Sequence, residues 1–257
     1  MSFPKKSLGQ NFLTDLNIIK KIINLTKIKN RNIIEIGPGK GALTDKILEK
    51  NPKSLILIEK DNNLFNKLVK KYINNKNIKV YNEDILKFDL EKIVKKKTII
   101  FGNLPYNISS QILIKLIKFN TWPPNFSDLI LMFQKEVAEK IIGKSYGRLS
   151  IIVNFRLKFF NLFNISANCF FPKPKVTSSV IHFHPKLNIN YKIKKLNNLE
   201  NITNIFFSNK RKMIKKNLNK ILKKNQLKKL NNLNLNQRPS DLKPEIYYKI
   251  VELFESK

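Results

Sequence analysis

Residues 101–110, Phe-Gly-Asn-Leu-Pro-Tyr-Asn-Ile-Ser-Ser, bring polar and planar groups together in one turn. Asn103 offers a side-chain carbonyl acceptor, and Pro105 stiffens the turn without supplying an amide donor. Tyr106 adds a flat ring. Such a turn can hold a planar group that carries an amine, with the nitrogen on Asn103 and the ring on Tyr106. An isolated Asn-x-Pro-Tyr turn is also an ordinary corner between a strand and a helix, so its chemistry depends on its neighbours.

Three more polar features follow other predicted strands. Glycine-rich residues 37–41 let the backbone at Gly37 and Gly39 approach a ligand at the start of a helix. Glu59 comes about 20 residues later, where a carboxylate can accept hydrogen bonds from both hydroxyls of a ribose. Asp84 follows the next strand, where its carboxylate can accept from an adenine amino group. This set predicts a nucleoside site.

Alternating strand and helix signals predict how these residues are positioned. The predicted strands are residues 32–36, 54–59, 78–81, 97–100 and 129–133. Helical patterns between them indicate an α/β fold with a doubly wound, mostly parallel sheet. Ligands of such sheets bind beyond the carboxyl ends of the strands, where all four polar features lie. Residues 158–163 and 177–183 predict two further strands around a proline-rich loop.

The strand signals end near residue 186. Residues 187–240 contain 14 Lys or Arg and one acid, Glu200, with apolar residues at helical spacing. We therefore predict two domains: an α/β domain at residues 1–186 and a small, basic, all-α domain at residues 187–257.

The net charge of +32 and the pI near 10.1 favour a polyanionic partner. Only five of the 50 basic residues are Arg, however, and Asn and Ile are abundant. Part of the charge therefore reflects composition, and RNA binding needs local support. One Cys and two His cannot form a disulfide framework or a Cys/His zinc site, so no metal is expected. No apolar run reaches membrane-spanning length, and no apolar signal core follows the N-terminus, so we expect a cytoplasmic protein without a membrane partner.

Two classes of cofactor fit the nucleoside site. A dinucleotide explains the glycine loop and Glu59, but it leaves the Asn103–Tyr106 turn without a role and provides no residue for hydride transfer. S-adenosyl-L-methionine uses the same ribose carboxylate and leaves the fourth strand free for a target amine. We therefore favour S-adenosyl-L-methionine.

Taken together, these motifs resemble the small-subunit ribosomal RNA adenine N6,N6-dimethyltransferases. The matching segments are residues 7–13, 35–39, 102–109, 146–150, 170–178 and 208–212. They span nearly the whole chain. The resemblance implies a class I methyltransferase fold, with an S-adenosyl-L-methionine-dependent methyltransferase domain at residues 1–186 and an RNA-binding domain at residues 187–257. Most departures replace Arg by Lys, as at Lys210, which affects bidentate phosphate contacts more than catalysis.

The resemblance implies specific cofactor contacts. These are Asn11, Leu13, Gly37, Gly39, Glu59, Asp84, Ile85 and Asn103. Asn11 and Leu13 close over the cofactor, Ile85 joins Asp84 at the adenine, and Asn103 touches both cofactor and substrate. The family transfers two methyl groups to each of two adjacent adenines in the terminal hairpin loop of small-subunit RNA, during ribosome assembly.

The target base is expected to be extruded and held on both faces. The predicted catalytic residues are Asn103, Leu104, Pro105, Tyr106 and Phe170. Asn103 Oδ1 and the Leu104 carbonyl hold the amine, whereas Tyr106 and Phe170 sandwich the ring. Leu104 and Pro105 form a small apolar wall beside the once-methylated nitrogen. Phe170 fits an ordinary core position equally well.

Basic residues outside the sheet are candidates for RNA phosphate contacts. They are Arg148, Lys173, Lys175, Lys210, Arg211 and Lys212. The expected partner is small-subunit ribosomal RNA within an immature subunit, bound by a monomer. Two alternatives are a large-subunit RNA adenine methyltransferase of the macrolide-resistance type and a non-catalytic assembly factor. Leu104 and residues 210–212 favour the small-subunit enzyme, and the intact site argues against a non-catalytic factor.

Overall fold

The computed structural model describes residues 4–5, 9–143, 146–230 and 233–256. The chain forms two units. The first contains Met1–Ala138 and Lys158–Pro185, and the second contains Glu139–Leu157 and Lys186–Lys257. The assignment of domains to residues 1–186 and 187–257 remains a prediction. The second unit also contains Glu139–Leu157, a segment that the sequence composition did not assign to the C-terminal domain.

The strands and helices have the following bounds. The strands are β1 (Phe12–Leu13), β2 (Asn32–Ile36), β3 (Ser54–Glu59), β4 (Ile78–Asn82), β5 (Thr98–Asn103), β6 (Phe126–Gln134), β7 (Leu157–Ile165), β8 (Phe170–Phe171) and β9 (Ser178–Pro185). The helices are α1 (Leu16–Ile23), α2 (Ala42–Leu48), α3 (Asn62–Lys71), α4 (Ser109–Ile117), α5 (Lys135–Ile142), α6 (Arg148–Arg156), α7 (Leu196–Phe207), α8 (Lys215–Ile221), α9 (Lys224–Leu227) and α10 (Pro244–Glu255).

A seven-stranded sheet in the order β4-β3-β2-β5-β6-β9-β7 forms the centre of the first unit. The pairs among β2 to β6 are parallel, and β9 runs antiparallel to β6. The prediction of a doubly wound, mostly parallel sheet is therefore confirmed. Strand order reverses between β2 and β5, so the crevice beyond their carboxyl ends is the expected ligand site.

Continuous apolar runs explain the centre of this sheet. Ile99, Ile100 and Phe101 of β5 are fully buried because helices cover both faces of a parallel sheet. Short polar residues start the flanking helices: Asp15 accepts hydrogen bonds from two amides of α1, and Asp61 does so for α3. The N-terminal capping residues thus determine where these helices begin, and burial on both faces explains why the strands are continuously apolar.

The small ribbon formed by β1 and β8 was not predicted. Phe12 pairs with Phe171, and Leu13 pairs with Phe170, in an antiparallel register. The Thr14 amide extends the ribbon by donating to the carbonyl of Cys169 at 2.8 Å. A strand of two residues is too short to show a periodic sequence pattern, so only the tertiary structure reveals this pairing.

Helices make up most of the second unit, as the sequence predicted. α6 and α7 both pack against α10. The Tyr248 hydroxyl of α10 donates to the carbonyl of Ile151 in α6 at 2.8 Å, and the rings of Phe155 and Tyr248 lie 5.0 Å apart. None of the helices in the described part of the chain combines the length and apolar character needed to cross a bilayer.

Candidate active site

A cavity of about 450 Å³ lies at the switch point of the sheet. This volume is within the range of small-molecule sites. The ends of β2, β3 and β5, the turn after β4 and the β1–β8 ribbon all contribute to its wall. The predicted residues found in this wall are Asn11, Leu13, Gly37, Gly39, Glu59, Asp84, Ile85, Asn103, Leu104, Pro105 and Tyr106. Residues far apart in sequence therefore meet in one hollow.

The glycine loop between β2 and α2 requires glycine for its backbone conformation. Gly37 and Gly39 have φ angles of +68° and +60°, in the left-handed region that side chains disfavour. A Cβ on Gly39 would lie 2.9 Å from the ring of Phe12. The aromatic ring of β1 therefore lies directly on the glycine backbone.

Two buried carboxylates lie on neighbouring strands, Glu59 at the end of β3 and Glu35 one residue before the end of β2. Glu59 Oε2 accepts from the Gly39 amide at 3.1 Å, and Oε1 accepts from the Asp61 amide at 2.9 Å. Burial raises the pKa of Glu59, although both amides favour the ionised form. Each Glu59 oxygen retains a lone pair for the hydroxyls of a ribose.

Glu35 of β2 is the second carboxylate. Thr44 donates to its Oε2 at 2.7 Å, and burial raises the pKa of Glu35 to about 8. This pKa includes the Thr44 hydrogen bond and the charge of Lys71, which lower it, and the charges of Asp45 and Glu59, which raise it. Glu35 is therefore mostly neutral at pH 7. The sequence did not predict a role for it, although an acid within a buried strand was a usable signal.

Asp84 follows β4 and forms an ion pair. Its Oδ2 lies 2.8 Å from Lys60 Nζ, and its Oδ1 accepts from the Leu86 amide at 2.9 Å. The hydrogen bond from Lys60 lowers the pKa of Asp84. The carboxylate is therefore ionised and positioned to accept a further donor at the cavity wall.

The turn after β5 has a fixed amide orientation. Asn103 Nδ2 donates to the carbonyl of Asn11 at 2.9 Å, and only the nitrogen end can make this bond. Among the described residues, no hydrogen bond engages Asn103 Oδ1. Tyr106 bonds through its hydroxyl to buried Ser178 of β9, which fixes its ring in the cavity wall.

The N-terminal segment is held over the site by charge and hydrogen bonds. Lys5 Nζ lies 2.9 Å from Asp61 Oδ2, which also accepts from Gln10 Nε2 at 3.2 Å. Burial alone would raise the pKa of Asp61, but these donors and the amides of α3 lower it below its usual value. Ser7 and Leu8, the first two residues of the N-terminal motif, lie outside the described residues.

Phe170 does not fit the predicted stacking role. It is 4% exposed, belongs to the main apolar core and does not contribute to the cavity wall. Successive side chains of a strand point to opposite faces, so the next residue, Phe171, faces the cavity instead and is 59% exposed. The core alternative for Phe170 is the one that this structure supports.

The predicted RNA contacts are all exposed. Lys173 and Lys175 lie in the loop between β8 and β9 of the first unit. Arg148 begins α6 of the second unit, and residues 210–212 follow α7 there. Their roles remain predictions.

A polar cluster lies at the opposite end of the sheet from the cavity. Asp128 Oδ1 lies 2.8 Å from His182 Nε2 and 3.6 Å from His184 Nε2. The period-two spacing of the two histidines was a signal for a shared face. Both Asp128 oxygens already accept hydrogen bonds, from Thr26 and Ser127, and the expectation of no metal remains a prediction.

The mostly parallel seven-stranded sheet, with antiparallel β9 beside β6, and the cavity at its switch point have the architecture of the class I methyltransferases. The sequence profile of the ribosomal RNA adenine dimethylases matches residues 1–256. The chain belongs to the ribosomal RNA adenine dimethylase family, whose activity implies a methyl donor and a ribosomal RNA substrate.

Similar proteins agree with this family. Proteins named ribosomal RNA small subunit methyltransferase A are 45% identical in Pelagibacter ubique (98% of this chain, 97% of the relative) and 37% identical in Malacoplasma penetrans (96% and 91%). A dimethyladenosine transferase from Plasmodium falciparum has a TM-score of 0.76 at 29% identity (93% of this chain, 95% of that one). The 23S rRNA methyltransferase ErmE has a TM-score of 0.72 at 21% identity (95% and 100%), which shows a shared fold.

Proposed function

We propose that this protein uses S-adenosyl-L-methionine to dimethylate N6 of two adjacent adenines in the 3′-terminal hairpin loop of small-subunit ribosomal RNA. The proposed substrate is RNA in an immature subunit, modified in the cytoplasm by a monomer during ribosome assembly. One observation carries the proposal: the Asn103–Tyr106 turn shares a single cavity with Glu59 and Asp84. A nucleoside cofactor and a planar amine would therefore meet there.

The cavity residues suit the proposed cofactor. Glu59 would accept from the ribose hydroxyls, Asp84 would accept from the adenine amine, and Ile85 would contact the adenine ring. The glycine loop would accommodate the methionine portion, covered by Asn11 and Leu13. When bound, the cofactor supplies an electrophilic methyl group on a sulfonium.

The turn after β5 would perform the substrate chemistry. An adenine amine is a poor nucleophile because its lone pair is delocalised into the ring. Hydrogen bonds from N6 to Asn103 Oδ1 and the Leu104 carbonyl would hold the nitrogen and favour its pyramidal form. Orientation by Asn103 and Tyr106 then supplies most of the rate, without a metal or covalent nucleophile.

Small-subunit RNA is favoured over the large-subunit alternative. The relatives named for the small subunit are 37–45% identical to this chain, whereas the large-subunit enzyme shares 21% of its residues and supports the fold alone. We therefore propose the RNA of the small subunit, rather than that of the large subunit, as the substrate.

Incubation with undermethylated small subunits and labelled methyl donor, followed by mapping of modified bases, tests the proposal. We expect dimethyladenine at two adjacent positions. Asn103→Ala should lower kcat about 100-fold because the amine loses its acceptor. Asn63→Ala, an exposed site on α3, is the matched control. Normal methylation by Asn103→Ala would remove the catalytic assignment. Binding of subunits without methylation by the unmodified protein would support the assembly-factor alternative.

A further inference from the structure

Phe171 is a large aromatic side chain that remains exposed at the edge of the active-site cavity. It is 59% exposed, whereas its neighbour Phe170 is 4% exposed. The backbone of Phe171 is held in place because β8 pairs with β1, opposite Phe12. Phe12 in turn packs on Gly39. The ring of Phe171 is therefore presented to solvent by a fixed support.

A cation lies next to this ring. Lys40 Nζ is 5.7 Å from the ring centroid of Phe171 and 5.0 Å from that of Phe12. Within the described ranges, no carboxylate forms an ion pair with Lys40. All three side chains belong to the cavity wall. An exposed π-face beside an available ammonium is the combination that binds a single-stranded nucleotide, with the base on the ring and the phosphate on the cation.

We propose that Phe171 and Lys40, supported by Phe12, form a subsite for a nucleotide that flanks the target adenine in the RNA. The base of this nucleotide stacks on Phe171, and its phosphate contacts Lys40. This inference depends on the proposed function, because a base extruded into the cavity brings its neighbours in the strand to the cavity mouth. The high exposure of Phe171 favours a ligand on the solvent side over the enclosed cofactor.

Substitutions at Phe171 test the stacking contact in the full-length protein. The probes are undermethylated small subunits for kinetics and S-adenosyl-L-methionine for binding. Phe171→Leu should raise the KM for subunits about tenfold, since one base–aromatic stack is lost. Phe171→Trp should restore it. Cofactor affinity should stay unchanged.

Phe160→Leu is the matched control, because Phe160 is 56% exposed, lies outside the cavity wall and contacts His184. Its KM should equal that of the unmodified protein. Fluorescence of Trp122, the single tryptophan of the unmodified protein, verifies that the two Leu variants are folded, and circular dichroism does so for Phe171→Trp, which contains a second tryptophan.

Lys40→Gln tests the phosphate contact. The slope of log affinity against log salt concentration, measured with a labelled hairpin RNA, should decrease by about 0.7, the value for one phosphate on a single strand. Lys53→Gln, an exposed lysine before β3, should leave the slope unchanged.

Three results would overturn the subsite. One is an unchanged KM in Phe171→Leu, and another is an unchanged salt slope in Lys40→Gln. The third is weaker cofactor binding by Phe171→Leu, which would make Phe171 a cofactor cover. If any of these results appears while Asn103→Ala still loses activity, the subsite is wrong but the proposed function stands. Failure of the subsite can therefore be distinguished from failure of the proposed function.

Discussion

Replacement of Glu35 by Gln should change how the stability of the first unit depends on pH. Glu35 is 2% exposed, and its burial raises its pKa from the usual 4.5 to about 8. The folded state therefore holds this proton more tightly than the unfolded state. Stability from Glu35 is fully present below pH 4.5 and is lost as pH rises through 8.

The expected loss follows from proton linkage. Between pH 6 and pH 8 the unfolded carboxyl is ionised, whereas the folded one is still largely protonated. Each pH unit in this window lowers the free energy of unfolding by about 1.4 kcal/mol until the folded group titrates. The loss between pH 6 and pH 8 is therefore about 2 kcal/mol. Gln is similar in shape and can accept from Thr44, but it does not ionise.

Urea unfolding at pH 6, 7 and 8 provides the assay, with Trp122 fluorescence as the signal. Trp122 lies in the first unit, as Glu35 does, so the transition reports the relevant structure. From pH 6 to pH 8, the free energy of unfolding of Glu35→Gln should increase by about 2 kcal/mol relative to that of the unmodified protein. Glu49→Gln, at an exposed glutamate, is the control and should run parallel to the unmodified protein. Parallel curves for Glu35→Gln would refute the reasoning that burial keeps this acid protonated.

Three further predictions concern the glycine loop, the histidine cluster and the basic segment. Gly39→Ala should weaken S-adenosyl-L-methionine binding in calorimetry, because its Cβ meets the Phe12 ring at a φ of +60°; Gly147→Ala, where a Cβ meets nothing within 4 Å, should not. Asp128→Asn should lower the free energy of unfolding at pH 7 by about 1.5–3 kcal/mol in urea titrations. Hydrogen bonds donated by His182 and Ser127 outweigh the effect of burial and lower the pKa of Asp128. The stabilisation by the Asp128 carboxylate is therefore present at neutral pH and is lost as pH falls below the usual carboxyl pKa. A constant difference down to pH 3 would contradict that assignment. Alanine at residues 210–212 should reduce the salt slope of RNA binding by about 2, and alanine at Lys223, Lys224 and Lys228 should not; equal slopes would exclude residues 210–212 as phosphate contacts.

Strand ends were the part of the site that the sequence could predict. Glu59, Asp84 and Asn103 each follow an apolar run, and parallel strands bring their carboxyl ends to one edge, so these residues could be assigned to one crevice before any coordinates. The strands themselves were predictable because burial on both faces demands continuous β-branched and apolar residues, as in β5.

The sequence by itself determined the sheet, the glycine loop and the polar residues at its edge, because these depend on local patterns of a few residues. Only the tertiary structure decided that Phe171 rather than Phe170 faces the cavity. That choice depends on the pairing of two short strands that are far apart in sequence. Leu13 pairs with Phe170, and Phe12 pairs with Phe171. The neutral state of Glu35 was likewise a tertiary outcome, since the pKa of a carboxyl responds to burial, and burial is a property of the assembled core.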